Sequence, residues 1–151
     1  MIGRRAILAL ALLAPVAAFA QDNAALNEAA SDAALAFMKA LRKNDVETAM
    51  QFAGAPFVAE DAELLATEAD VKAYLTDMCG QLDAAEMPNA VLAILDYEQS
   101  RAVTESNVLK LRDAVLTKGD LLIATGRDGI SRGVLLVKAG GGKPVVVGVG
   151  Y

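Results

Sequence analysis

The segment 33–58, AALAFMKALRKNDVETAMQFAGAPFV, decides the fold of this chain. In its first half, apolar residues recur at steps of three and four, the spacing that places side chains on one face of a helix. Asn44 and Asp45 interrupt this repeat, and both residue types favour turns and helix N-termini. A shorter apolar repeat follows and ends before Pro56, a residue that breaks helices. The segment therefore predicts a long helix, a polar corner, a short helix and then a strand.

The remaining chain predicts further helices and strands that end at glycine-rich turns. A capping-box pattern at Thr67–Asp70 predicts a helix from about Glu68 to Cys79. Residues 90–100 are compatible with strand or helix, and we favour a strand that is buried in its first half and emerges at its end. Apolar periodicity predicts another helix over 104–115. Three strand-like runs then follow, at 121–125, 133–138 and 145–151.

The first 20 residues have the pattern of a bacterial secretory signal peptide. Arg4 and Arg5 form a basic start, 6–13 is an apolar stretch, and 18–20 is an Ala-Phe-Ala site that predicts cleavage between Ala20 and Gln21. The alternative is an uncleaved N-terminal anchor, although the apolar stretch is short for a membrane span. We therefore expect a signal peptide over 1–20, a single domain over 21–151, and a periplasmic or secreted location.

The charge of the chain argues against two classes of partner. The formal net charge is −5, and it becomes −7 without the first 20 residues, because these contain two arginines and no acid. An acidic domain with scattered lysines and arginines is a poor binder of nucleic acid and of anionic membranes. We expect neither a nucleic-acid partner nor stable membrane insertion after cleavage.

The chain contains no histidine and one cysteine, and this limits its chemistry. Nucleophile pairs that use histidine and metal sites that contain histidine are excluded, and one thiolate cannot form a zinc site. We expect no metal and no cofactor. Cys79 cannot form an intramolecular disulfide, and we expect a buried thiol that packs as a small apolar group. The alternative is an intermolecular disulfide or a reactive thiol, which requires an exposed site.

The order of these elements resembles the nuclear transport factor 2-like superfamily, especially its SnoaL-like branch. The closing segment, with two strands around a glycine-rich turn, agrees with the family's last hairpin. The resemblance implies an α+β fold in which a curved antiparallel sheet packs against N-terminal helices and encloses a cone-shaped pocket. It rests on Phe37, Ala40–Leu41, Asp45–Val46, Ala49, Pro56–Val58, Leu135–Lys138 and Lys143–Gly148.

The resemblance also indicates where a site would lie. Enzymes of this superfamily place a carboxylate, a tyrosine or a histidine in the pocket, but Phe37 occupies the position of the ketosteroid isomerase tyrosine and has no donor. Asp96 is the weak catalytic candidate, because a strand face that lines the pocket would desolvate its carboxylate. The alternative is a solvated Asp96 at the strand end. The ligand-binding candidates are Phe37, Asp96 and Tyr97, and further polar candidates are Tyr74, Tyr151 and Arg127.

The sequence is compatible with three functions. The first is a non-catalytic exported module that binds a small apolar molecule in the cone, or another protein through the open sheet face. The second is a SnoaL-like isomerase, cyclase or lyase that uses Asp96 with a tyrosine. The third is an inhibitor-like partner of another exported protein. By analogy with the family, self-association through the sheet face would give a homodimer.

Overall fold

A computed structural model describes residues 17–60, 62–103, 107–140 and 142–150 of the chain. The described part is an α+β domain, with helices on both sides of one sheet. A 3₁₀ turn at Asn107–Lys110 lies between the last two helices. The α-helices are α1 (Ala17–Arg42), α2 (Val46–Met50), α3 (Glu68–Gln81), α4 (Tyr97–Ser100) and α5 (Arg112–Val115).

The sheet has six strands in the order β2-β1-β6-β5-β4-β3, and it does not close into a barrel. All neighbouring strands are antiparallel except β1 and β6, which run parallel. The predicted antiparallel sheet is therefore wrong at this pair. Residue alternation places side chains on a face, but it carries no information about the direction of a partner strand far away in the chain. The strands are β1 (Ala53–Val58), β2 (Leu64–Leu65), β3 (Ala90–Asp96), β4 (Leu121–Arg127), β5 (Ile130–Lys138) and β6 (Val145–Gly150).

Capping side chains explain where helices α2 and α3 begin. Asp45 caps α2 by accepting a hydrogen bond from the Thr48 N–H at 3.1 Å. Hydrogen bonds to Thr48 lower the pKa of the Asp45 carboxyl. Thr67 caps α3 in the predicted way, since its hydroxyl accepts from the Asp70 N–H at 3.2 Å. The corner and both helix starts are thus confirmed.

The larger core lies between helices α1 to α3 and one face of the sheet. The apolar stripe of α1 is buried against alternate residues of the central strands. Phe37 and Phe57 are the largest fully buried side chains among the described residues. The predicted helical face is therefore confirmed. Its members on α1 are Ala30, Ala34, Phe37, Met38 and Leu41.

The opposite face of the sheet carries a second buried cluster. The strand residues that alternate with those of the larger core point toward this face. Residues of α4, the 3₁₀ turn and α5 pack on them. The predicted open sheet face is therefore wrong over this area. The predicted helix over 104–115 is also wrong over 107–115, its described part, because a 3₁₀ turn and the short helix α5 replace one continuous helix. The buried members of this cluster are Val58, Leu109, Val115, Leu116, Leu122, Leu136 and Val147.

The predicted signal peptide lies mostly outside the described residues, including its basic start and its apolar stretch at 6–13. Helix α1 begins at Ala17 and continues through the predicted cleavage site between Ala20 and Gln21. Within the described part of the chain, no helix combines the length and the apolar character that a membrane span requires.

Candidate functional site

The space between α1 and the sheet is where the resemblance places a ligand pocket, and around Phe37 this space is almost filled. The cavity that remains has a volume of about 20 Å³. Such a volume holds about one water molecule, whereas small-molecule sites measure about 300–1,000 Å³. No ionisable side chain lines it. Its lining residues are Phe37, Met38, Leu41, Met87, Pro88, Thr125, Gly133, Val134, Leu135, Val149 and Gly150.

The three predicted ligand-binding residues do not meet in one pocket. Phe37 belongs to the core on the α1 side of the sheet, whereas Tyr97 packs against the cluster on the opposite side. The Tyr97 hydroxyl donates a hydrogen bond of 2.5 Å to Asp113. This hydrogen bond raises the pKa of the tyrosine. Tyr97 therefore has a local structural partner and no access to the cavity beside Phe37.

Asp96 ends strand β3 and begins helix α4. Its carboxylate accepts the Gln99 N–H at 2.8 Å, and the Gln99 side chain accepts the Asp96 N–H at 3.0 Å. These two bonds form a capping box. Asp96 is exposed, so the desolvation that a general base would need is absent here.

We predict that Asp96→Ala lowers the free energy of unfolding by about 1 kcal/mol, because the helix N-terminus loses its cap. Asp96→Asn should change stability little, since asparagine caps helices about as well as aspartate. Urea unfolding of the two variants beside the wild type measures both effects. Equal losses in the two variants would contradict a capping role.

Asp96 shares a cleft of about 150 Å³ with a second aspartate, Asp120, and with Asn27 and Gln99. Asp120 is buried, but its carboxylate accepts the N–H groups of Thr117, Ala139 and Gly140 at 2.8 to 3.1 Å. Both carboxylates are thus engaged in holding backbone turns.

The other polar candidates are separated from one another. Tyr74 is half-buried, and its ring lies 6.0 Å from that of Phe57. Arg127 donates from Nε to the Met87 carbonyl at 2.8 Å, so it holds the loop before β3. Tyr151 lies outside the described residues. The described candidates therefore do not assemble a catalytic centre.

Cys79 lies on α3 and is half-buried. Its Sγ lies 3.7 Å from the Leu41 carbonyl oxygen of α1. Burial raises the pKa of the thiol. This environment disfavours the thiolate, which is the nucleophilic form.

We predict that iodoacetamide modifies Cys79 more slowly in the folded protein than in urea, as measured by intact mass against time at neutral pH. The raised pKa also means that the native state holds this proton more tightly than the unfolded state. This contribution to stability is complete below the unfolded thiol pKa of about 8.5 and is lost as the pH rises through the native value. Equal rates of modification in both states would contradict a protected thiol.

The edges of the sheet differ in length and in chemistry. Strand β2 forms one edge and has only two residues, which is a common way to block further strand pairing. Strand β3 forms the other edge and has seven residues, with no charge before Asp96. Leu92 on this edge is 40% exposed, and Ala93 is also exposed.

The backbone of β3 pairs on one side only. In an antiparallel pair, alternate residues turn their N–H and C=O groups away from the partner strand. Among the described residues no strand lies beyond β3. A register shift between Val91 and Ala93 interrupts the pairing with β4, so the regular part of this edge runs from Ala93 to Asp96. Unpaired backbone groups of this kind accept an additional strand.

A surface groove of about 330 Å³ lies beside the loop that precedes β3. Its ionisable members Asp83, Glu86 and Arg132 are all exposed, so the groove is a solvated surface feature. The described residues also contain no group of three or more acids and cysteines that could hold a metal ion.

Comparison of the chain with protein-family models, with curated proteins and with solved structures finds no match.

The buried environment of Asp120 and the edge position of β3 have no clear signal in the sequence. The capping role of Asp96 was predictable from the spacing of Asp96 and Gln99, which fits a capping box. The buried environment of Asp120 was not, because a Lys-Gly-Asp turn is normally exposed. The edge position of β3 depends on strand order, which apolar periodicity does not encode.

Proposed function

We propose that this chain is an exported, non-catalytic module that binds another protein, and that an extended segment of the partner adds to the free edge of strand β3. The observation that carries this proposal is the contrast between the two sheet edges. One edge ends in a two-residue strand, whereas the other is a seven-residue strand in which alternate residues have unpaired backbone groups and no charge precedes Asp96. Strand addition uses such an edge, with affinity from main-chain hydrogen bonds.

The chemistry of the edge and of the whole chain defines the partner. Leu92 and Ala93 offer apolar contacts beside the backbone groups. The chain has a net charge of −5, and Asp96 lies at the end of the strand. Charge complementarity therefore favours a partner segment that is apolar where it pairs and basic around it.

The interior supports a non-catalytic function that does not depend on a small ligand. The cavity under α1 holds about one water and has no ionisable lining residue. The carboxylates of Asp96 and Asp120 both accept backbone hydrogen bonds. A general acid–base reaction needs a carboxylate that can reach a substrate, and a small-molecule binder needs an apolar cavity.

The proposed family and location rest on the sequence pattern. The long helix, capped corner, short helix and terminal strands occur in the order that the nuclear transport factor 2-like resemblance implies. The basic start, apolar stretch and Ala-Phe-Ala site support export. A fold of this type hosts many functions, so the function is argued from the β3 edge and not from the family.

The experiment compares two Ala→Lys variants of the tagged chain in the organism that produces it. Ala93→Lys places a lysine on the β3 edge, where a charge disfavours strand pairing. Ala73→Lys makes the same change at an exposed position of α3. After gentle cross-linking, native mass spectrometry should detect one stoichiometric protein partner with the wild type and with Ala73→Lys. The same partner should be lost with Ala93→Lys.

Three outcomes would contradict the proposal. The first is a stoichiometric partner that Ala93→Lys retains as well as the wild type does. The second is a bound small molecule in place of a protein, which would favour a ligand-binding function. The third is a homodimer that Ala93→Lys abolishes, because the edge would then join two copies of this chain. Matching melting temperatures of the two variants show that both are folded.

A further inference from the structure

Two arginines from distant parts of the chain converge on one short loop. Arg42 lies in the last turn of α1, and its Nη1 donates to the Pro88 carbonyl at 2.7 Å. Arg127 ends β4 and donates to the Met87 carbonyl at 2.8 Å and to the Ala84 carbonyl at 3.3 Å. Because Met87 and Pro88 are consecutive residues, the two guanidinium groups lie close together. We call Arg42 and Arg127 the arginine pair.

The arginine pair has no acidic partner among the described residues. The described ion pairs join Lys72 to Glu47 and Arg112 to Asp113 only. Burial and the charge of Arg127 both lower the pKa of Arg42, which means that its positive charge is disfavoured where it lies. Within the part of the chain that the structure describes, neither guanidinium group therefore forms an ion pair with a carboxylate.

The surroundings of the arginine pair add further positive charge. Lys39 lies one turn before Arg42, and Lys43 follows it directly; both are exposed. Cations in the last turn of a helix also complement its dipole, which explains Lys39 and Lys43 without a ligand. The helix dipole gives no reason for Arg127, which comes from β4 and donates to the Met87 and Ala84 carbonyls of the same loop. The convergence of the two arginines is the feature that indicates a ligand.

Both guanidinium groups retain unused donors. Each arginine has five N–H donors in a planar fork, and the loop uses one donor of Arg42 and two of Arg127. Planar forks bind carboxylates and phosphates through paired hydrogen bonds. The loop also contains Asp83 and Glu86, both exposed, and the chain as a whole is acidic. This negative field disfavours a doubly charged phosphate more than a singly charged carboxylate.

We propose that the arginine pair is a binding site for a carboxylate group. The carboxylate lies between the two guanidinium groups and accepts from the donors that the loop leaves unused. It neutralises the repulsion between Arg42 and Arg127 and thereby fixes the loop 84–88 more firmly against α1 and β4. No residue of this site belongs to β3, although the loop 84–88 leads directly into that strand.

The test uses nuclear magnetic resonance of the wild-type protein, which avoids any change in the loop. Sodium acetate is titrated at constant ionic strength, with chloride as the balancing anion, and the arginine Nε–Hε signals are followed. We expect saturable shifts of the Arg42 and Arg127 signals and none of the exposed Arg132 signal. Arg42→Gln and Arg127→Gln should each weaken acetate binding by about tenfold or more, whereas Arg132→Gln should not.

The remaining outcomes would overturn the proposal. Inorganic phosphate, titrated in the same way, would overturn the assignment to a carboxylate if it alone gave saturable shifts. Shifts that grow linearly with acetate, or that affect all arginines equally, would indicate general screening and no site. If Arg42→Gln and Arg127→Gln do not fold, the wild-type titration decides by itself. The β3 variant Ala93→Lys should bind acetate normally, so failure of this site and failure of the proposed function can be told apart.

Discussion

Phe37→Ala is expected to lower the free energy of unfolding by about 3–5 kcal/mol, the cost of deleting a phenyl ring from a packed core. Phe37 has 0% exposure and contacts the cluster that joins α1 to the sheet. The substitution enlarges a cavity that now has a volume of only about 20 Å³. Since small domains unfold with about 5–15 kcal/mol, the change removes a large share of the stability. Urea unfolding followed by circular dichroism measures it.

A matched change on the same helix provides the control for Phe37. Lys39 is exposed two residues later, so Lys39→Ala should alter the free energy of unfolding by less than about 0.5 kcal/mol. A loss below about 1 kcal/mol for Phe37→Ala would mean that the ring does not fill the interior.

Asp120→Ala is expected to cost about 2–4 kcal/mol, because it leaves buried backbone donors without partners. The Asp120 carboxylate joins the turn before β4 to the end of β5, through the N–H groups of Thr117, Ala139 and Gly140. The turn itself contains Gly119 at φ +101°, a conformation that favours glycine. Thermal and urea unfolding should both report the loss.

Two further variants make this prediction for Asp120 specific. Asp120→Asn keeps one acceptor oxygen and should lose less stability than Asp120→Ala. Asp77 is exposed on α3, so Asp77→Ala should be nearly neutral. If Asp120→Ala is as stable as Asp77→Ala, the carboxylate does not hold the two segments together.

Phe37 and Asp120 explain why the proposed function uses the surface of the protein and not the pocket that the sequence predicts. Phe37 fills the space where the resemblance places a ligand, and Asp120 is the buried acid nearest to Asp96 in the described cleft. Neither residue is free to act on a substrate. The features that remain available for binding are on the surface: the β3 edge and the arginine pair.

Much of the fold was predictable because it depends on local spacing. The stripe that ends at Phe37 and Leu41 places the buried face of α1, and Asp45 and Thr67 cap the helices that follow them. Strands β4 to β6 follow the predicted runs with shifts of a few residues at their ends. Caps and periodicity act within a few residues, so a sequence records them directly.

The candidate site was not predictable to the same extent. The sequence identified Asp96 as a weak catalytic residue, and its capping role depends on whether the chain turns into a helix directly after it. Phe37, Asp96 and Tyr97 are the ligand-binding candidates of the sequence, but the sheet separates Phe37 from Tyr97. The arginine pair joins residues 85 positions apart, by their numbers, so no local pattern indicates it.

By itself, the sequence determined the helical stripe of α1, the capped corner at Asp45, the order of α1, α2, β1 and α3, and the absence of histidine chemistry. Only the tertiary structure decided that β1 runs parallel to β6, that β3 forms an edge, and that α4, the 3₁₀ turn and α5 pack on the second sheet face. The physical reason is distance along the chain. Periodicity and capping depend on neighbouring residues, whereas strand order and packing depend on contacts between segments that the sequence keeps far apart.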